Sequence, residues 1–95
     1  MRANRRDANE KTLLKVLEKL GGFWIPLNGA PFDGIVYHWR TGWVPVEIKD
    51  PKKAGHKNEF KPSQERFFER CDARRAQYMV WRTELDVIKD LGGRE

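Results

Sequence analysis

The sequence predicts an α/β sandwich with elements in the order αβββαβα. Three observations carry that expectation. Apolar residues recur at helical spacing near both ends and once in between, β-branched and aromatic runs bounded by Gly, Pro and Asn lie among them, and the central runs alternate in the manner of strands. The 95 residues make one small domain over 1–95, able to bury only about 60–65% of the surface its unfolded chain exposes. Four tryptophans and five phenylalanines supply much of its apolar area.

Residues 1–6, with Arg2, Arg5 and Arg6 and no acid, read as a mobile basic arm. Asp7 is placed as a helix N-cap with Glu10 three residues on, a capping-box spacing. Leu13, Leu14, Val16, Leu17 and Leu20 then form one apolar helix face, ended by Gly21-Gly22. Phe23 to Leu27 is a short strand whose Pro26 marks an edge or a bulge. Asn28-Gly29-Ala30-Pro31 turns the chain.

The segment Pro31–Lys49 reads as a β-hairpin about an Arg40-Thr41-Gly42 loop. A loop of those three residues sets Trp39 opposite Trp43 and Asp33 opposite Lys49, with Glu47 diagonal to Asp33 at roughly 7–8 Å. Alternation then puts Asp33, Glu47 and Lys49 on one face at the open end, while Val44, Val46 and Ile48 point into a core. Gly34 leaves room beside Asp33, and His38 falls on the opposite face with no role. Pro45 cannot donate to a ladder and must face outward or sit in a bulge. Two carboxylates that one divalent cation can bridge, with a lysine beside them, suit phosphodiester chemistry. The same residues also describe a solvated strand face with a cross-strand ion pair, worth little to stability.

Asp50 to Pro62 reads as a loop. From Lys49 to Lys61 it carries five lysines (Lys49, Lys52, Lys53, Lys57, Lys61) against Asp50 and Glu59. His56 in it reads as polar surface or a phosphate contact. A helix follows to about Arg75, with Phe67, Phe68 and Cys71 inward and Gln64 in its first turn, where glutamine is also an ordinary cap helper. Tyr78–Trp81 is a strand reached through a helical crossover, so it pairs parallel with the Glu47 strand. Thr83 caps a final short helix carrying Leu85, Val87, Ile88 and Leu91.

Pro31-Phe32-Asp33 followed by Glu47-Ile48-Lys49 resembles the PD-(D/E)XK nuclease superfamily, whose motif is an acid on one strand and an acid, any residue and lysine on the next. With Gln64 on the following helix, the order of elements from about Asp7 to Trp81 looks like the small stand-alone form of the virus-type replication-repair nuclease family (VRR-NUC). The proline stands one residue further from the aspartate than in that motif, with Phe32 between. The resemblance implies a restriction-endonuclease-like core and DNA hydrolysis, with Asp33, Glu47, Lys49 and Gln64 catalytic. It implies Mg²⁺ or Mn²⁺, which the all-oxygen donor set also suits. Asp33, Glu47 and the Ile48 backbone carbonyl would hold the ion, and in the family a first-helix glutamate, here Glu10, joins them when it is not only a cap. Lys49 would orient or deprotonate the attacking water, or stabilise transition-state charge.

The formal net charge of +5 and a pI near 9.6 favour an acidic partner, nucleic acid first. Arg2, Arg5, Arg6, Lys52, Lys53, Lys57 and Lys61 are the expected DNA contacts. Too little chain lies outside the core for a sequence-reading domain, so selectivity for DNA shape is expected. The stand-alone relatives imply branched DNA such as four-way (Holliday) junctions, cut by a symmetric dimer. The aromatic load on so small a sheet independently favours a homodimer. A single cysteine, Cys71, excludes an intramolecular disulfide and suits a reducing, cytoplasmic setting. No apolar run is long enough for a membrane span. A non-catalytic DNA-binding module of the same fold, a flap or nicking nuclease, and a structural protein with these charges as mere surface are the rival readings. Loss of metal dependence or of salt-sensitive DNA binding separates them.

Overall fold

A helix, a three-stranded antiparallel meander and a helical crossover to one parallel strand order the chain. The structure, a computed structural model, describes residues 8–28, 31–57 and 59–92, without the side chain of Ala8. Asp7 and the basic arm carrying Arg2, Arg5 and Arg6 lie outside the described residues. Helix α1 (Ala8–Lys19) leads to β1 (Phe23–Pro26), β2 (Gly34–His38) and β3 (Gly42–Ile48). A 3-10 turn (Pro51–Lys53) opens the basic loop before α2 (Pro62–Arg74), β4 (Met79–Trp81), α3 (Glu84–Val87) and a π-helical turn (Ile88–Gly92). The sheet runs β1-β2-β3-β4. Its first two pairings are antiparallel and the β3–β4 pairing is parallel, as a helical crossover requires.

The expected hairpin register is corrected by two residues. His38 pairs with Gly42 and Tyr37 with Trp43, so the loop is Trp39-Arg40-Thr41. The Thr41 N–H closes a turn on the His38 carbonyl at 3.0 Å, and Gly42 follows at φ 72°, a conformation that glycine adopts without steric cost. Gly42 is therefore the first residue of the return strand rather than the last of the loop. Because the slip is an even number of residues, every side chain keeps its expected face. Continued one step past Gly34↔Val46, the register puts Asp33 opposite Glu47 rather than Lys49.

One sheet face carries Val36, Val44, Val46, Ile48, Met79 and Trp81, packed with Leu13 and Leu17 of α1 and with Val87 and Leu91 of the C-terminal segment. Of the four apolar residues that the final helical segment carries, Val87 and Leu91 are buried and Leu85 and Ile88 are exposed. His38 also points to this side, where Nε2–H donates to the Leu20 carbonyl at 2.8 Å. Nδ1 accepts the Arg40 N–H. It ties the end of α1 to the hairpin turn.

Pro45 pairs with Ile35. Val46 and Ile48 turn their peptide groups toward β2 and its leading residue Asp33, so the alternate residue Pro45 turns its nitrogen to the other side. There β4 begins only at Met79, opposite Val46. The missing N–H thus falls on a local edge. Pro26 likewise lies on the edge strand β1. Gly34 does not serve to clear space for Asp33. A Cβ on it would lie 2.6 Å from both the Ile25 carbonyl oxygen and the Trp24 ring, so glycine lets β1 and its indole close over β2.

The other sheet face is covered only in part. Phe67 of α2 meets Phe32 at 4.8 Å between ring centroids. Phe68 stacks on Tyr78 at 4.6 Å and meets Phe60 edge-on. Toward the hairpin tip this face holds Phe23, Tyr37 and Trp43 in mutual contact, with centroids 5.1–5.7 Å apart. Phe23, Ile25 and Trp43 are exposed there.

Candidate active site

The site forms where β3 leaves the sheet beneath the first turn of α2. Glu47 is on the face that α2 covers and is only 3% exposed. Its Oε2 accepts from the Lys49 ammonium at 3.0 Å and from Gln64 Nε2 at 2.7 Å. Gln64 Oε1 in turn accepts from Lys49 Nζ at 3.1 Å and from the Lys61 N–H at 3.0 Å. Two donors on Oε1 and a carboxylate on Nε2 fix the orientation of the amide. Gln64 thus caps α2 and closes the ring Glu47–Lys49–Gln64.

Asp33 lies just before β2, opposite Glu47. Its Oδ2 accepts the Ile48 N–H at 2.7 Å. In an extended residue N–H and C=O point to the same strand edge, so the Ile48 carbonyl shares that edge with the Asp33 carboxylate. Asp33, Glu47, Lys49 and Gln64 are therefore brought together. Among the described residues no group of three His, Cys, Asp or Glu gathers at metal-ligating distance, so Glu10 does not stand with Asp33 and Glu47 as a third acid. The donor set here is two carboxylates and one backbone carbonyl.

The electrostatics of the pair is unbalanced. Burial, and then the negative charge of Asp33, push the Glu47 carboxyl above its ordinary value against the opposing pull of Lys49 and Gln64. Glu47 Oε1 is buried without a hydrogen-bond partner among the described residues. An acceptor left bare in the interior is costly, and a carboxylate oxygen in that condition beside a second carboxylate is what a hard cation satisfies. The residues present fit a small oxygen-seeking divalent ion.

Around the ring lie contacts that the sequence did not disclose. Asn9 Nδ2 donates to the carbonyls of both Lys49 and Arg82, at 3.1 and 3.0 Å, pinning the ends of β3 and β4 to α1. The Phe60 ring lies 5.2 Å from Lys49 Nζ and 5.9 Å from the Arg82 guanidinium carbon. Arg82 grips Glu59 through two bonds, at 2.7 and 3.0 Å. Glu59 and Arg82 stand 23 residues apart, and their one hint in the sequence is that Glu59 is one of only two acids in a lysine-rich loop. Lys52, Lys53, Lys57 and Lys61 are exposed on that loop.

No helix among the described residues is long and apolar enough to cross a membrane. Compared with known proteins, the chain matches no family model, no curated protein and no solved structure. The nuclease resemblance therefore rests on Asp33, Glu47, Lys49 and Gln64 themselves.

Proposed function

We propose that this chain is a Mg²⁺- or Mn²⁺-dependent DNA endonuclease with a restriction-endonuclease-like core, of the stand-alone VRR-NUC type, selective for branched DNA such as four-way junctions. The observation that carries this reading is the buried, unpartnered Oε1 of Glu47, set beside Asp33 and within the Lys49–Gln64 ring. A solvated strand face has no reason to bury an acid this way, since burying a charge without full pairing is unfavourable.

Asp33, Glu47 and the Ile48 carbonyl would hold the ion. When bound, it supplies charge neutralisation at the phosphate and a more acidic water. Lys49 donates to Glu47 and Gln64 through two of its three N–H groups, and the third is left for the attacking water or a phosphate oxygen. Gln64 fixes where that ammonium sits. Lys52, Lys53, Lys57 and Lys61, with the arginines of the N-terminal arm, would contact the DNA backbone.

A panel of four-way, flapped, nicked and linear duplexes tests the reading. Four-way junctions are expected to be cut with Mg²⁺ or Mn²⁺, linear duplex to be spared, and EDTA to stop all cutting. DNA binding without any metal-dependent cleavage would replace this reading with a binding module, and preferred cutting of flaps or nicks would replace the junction.

The exposed aromatic face belongs to the same proposal, as the contact of a homodimer that sets two sites for paired cuts. Light scattering at micromolar concentration is expected to give twice the 11.2 kDa chain mass. Trp43→Asp, which puts a charge on that face, is expected to give the single chain mass. A monomeric parent chain would overturn the assignment of this face.

A further inference from the structure

Within the basic loop lies an open hollow of about 430 Å³ lined by Lys53, His56, Lys57 and Glu59, toward the lower end of the roughly 300–1,000 Å³ typical of small-ligand sites. Its shape is built rather than incidental. Asp50 Oδ1 takes the Lys52 N–H at 2.9 Å, the His56 N–H donates to the Lys53 carbonyl, and the Glu59 N–H donates to the His56 carbonyl. Glu59 Oε1 accepts the Gly55 N–H at 3.1 Å. These bonds consume the loop's own amides in holding its form and leave the side chains of Lys53, His56 and Lys57 to face an occupant.

Glu59, the one acid in the lining, is already spoken for. Its side chain is 5% exposed, and the forked bonds of Arg82 neutralise it. The bonded guanidinium, with its Gly55 contact second, holds its carboxyl below the ordinary value against some burial. The lining that remains is cationic. It also has a fixed bearing on the active site, because Arg82 and Lys49 lie over the same Phe60 ring. One ring therefore separates the hollow's anchor from the proposed catalytic lysine.

We propose that this hollow is a subsite for one backbone phosphate of the DNA, next to the scissile phosphodiester, in which Lys53 and Lys57 converge on the same phosphate group. This rests on the nuclease reading for its substrate, but not for its test. Two lysines on one phosphate release the counterions of one phosphate, whereas two independent surface lysines release those of two. The measurement is DNA affinity against salt, in EDTA so that nothing is cut, for the full chain and for Lys53→Ala, Lys57→Ala and the double variant. Each single variant is expected to leave the slope of log affinity against log salt nearly unchanged, because the remaining lysine still neutralises the shared phosphate. The double variant is expected to lower it by about one, with an affinity loss of about tenfold that exceeds the product of the single losses.

A double variant whose slope falls by about two, one for each lysine removed, overturns the proposal in favour of separate contacts, and a double variant whose slope is unchanged overturns it in favour of a solvated loop. A parallel titration of ¹⁵N-labelled protein separates the possible sources of the anion. Short duplex DNA is expected to shift the amides of Gly55, His56 and Lys57, and inorganic phosphate at millimolar concentration to shift the same amides and compete with DNA. Shifts with inorganic phosphate but none with DNA would make this a site for a free phosphate and sink the DNA subsite. If the shared slope is found in a protein that never cuts, the subsite stands and the nuclease reading falls.

Discussion

Glu47→Gln and Asp33→Asn are each expected to lower metal-dependent cleavage by on the order of 10³-fold or more, since each removes a charged oxygen from a two-carboxylate site. Loss of activity alone would also follow from misfolding, and here the electrostatics supplies a second readout. The folded-state pKa of Glu47 is raised, by burial first and by Asp33 second. A raised carboxyl binds its proton more tightly in the folded than in the unfolded chain. Its contribution to stability is therefore complete below the ordinary value of 4.5 and is lost as pH rises through the folded-state value. Once ionised, Glu47 opposes folding, and Glu47→Gln removes that opposition. In metal-free thermal melts the midpoint of the variant is expected to gain on that of the parent as pH rises from 4.5. Mn²⁺ is expected to raise the parent's midpoint and leave the variant's in place. A Glu47→Gln protein that melts well below the parent, or that cuts DNA at the parent's rate, would show that this carboxylate is not held for a cation.

The order of elements was legible in the sequence because it rests on hydrophobic period, which chain-local chemistry sets. Leu13 and Leu17 at helical spacing, and Val44, Val46 and Ile48 at strand spacing, went where their period sent them. The faces of Asp33, Glu47 and Lys49 followed from the same alternation, which survives a slip of two. The register did not, because Arg40-Thr41-Gly42 and Trp39-Arg40-Thr41 are equally good loops locally. What selects the second is His38, whose ring must reach both the Leu20 carbonyl and the Arg40 N–H. The Glu59–Arg82 pair and the double use of Asn9 were illegible for a related reason. They join residues distant along the chain, and no spacing rule links them. Gln64 was legible as a cap helper, and it caps α2, but its bonds to Glu47 and Lys49 join separate elements and no spacing rule gives them.

Trp81→Ala is expected to have the largest effect on stability. The residue is fully buried in the core under α1 and the C-terminal segment, and its indole N–H donates to Asp90 Oδ2 at 2.8 Å. Truncating a buried aromatic costs about 3–5 kcal/mol, out of roughly 5–10 kcal/mol for a domain of this size. Urea unfolding should show a protein with half its stability or less. Asp90→Ala leaves the core intact and strands only the indole N–H, at a cost of about 1–3 kcal/mol. The two midpoints should be well separated. If Trp81→Ala falls no further than Asp90→Ala, the ring is not the keystone that its burial implies.

The parallel pairing of β3 with β4 also governs how the protein comes together in time. The first three strands join their sequence neighbours through short connections, but Val46 and Met79 meet only after about thirty intervening residues have been closed into a loop. Such closure is entropically costly, and contacts distant in sequence slow folding. The candidate site is assembled by that same closure. Gln64 lies within the looped segment, and the carbonyls of Trp81 and Arg82, which receive the Lys49 N–H and the Asn9 amide, lie just beyond it. The meander taken alone lacks the helix that covers Glu47. Recovery of a competent site after dilution from denaturant therefore keeps pace with the burial of Trp81, and competence becomes a clock for the slow topological step of folding.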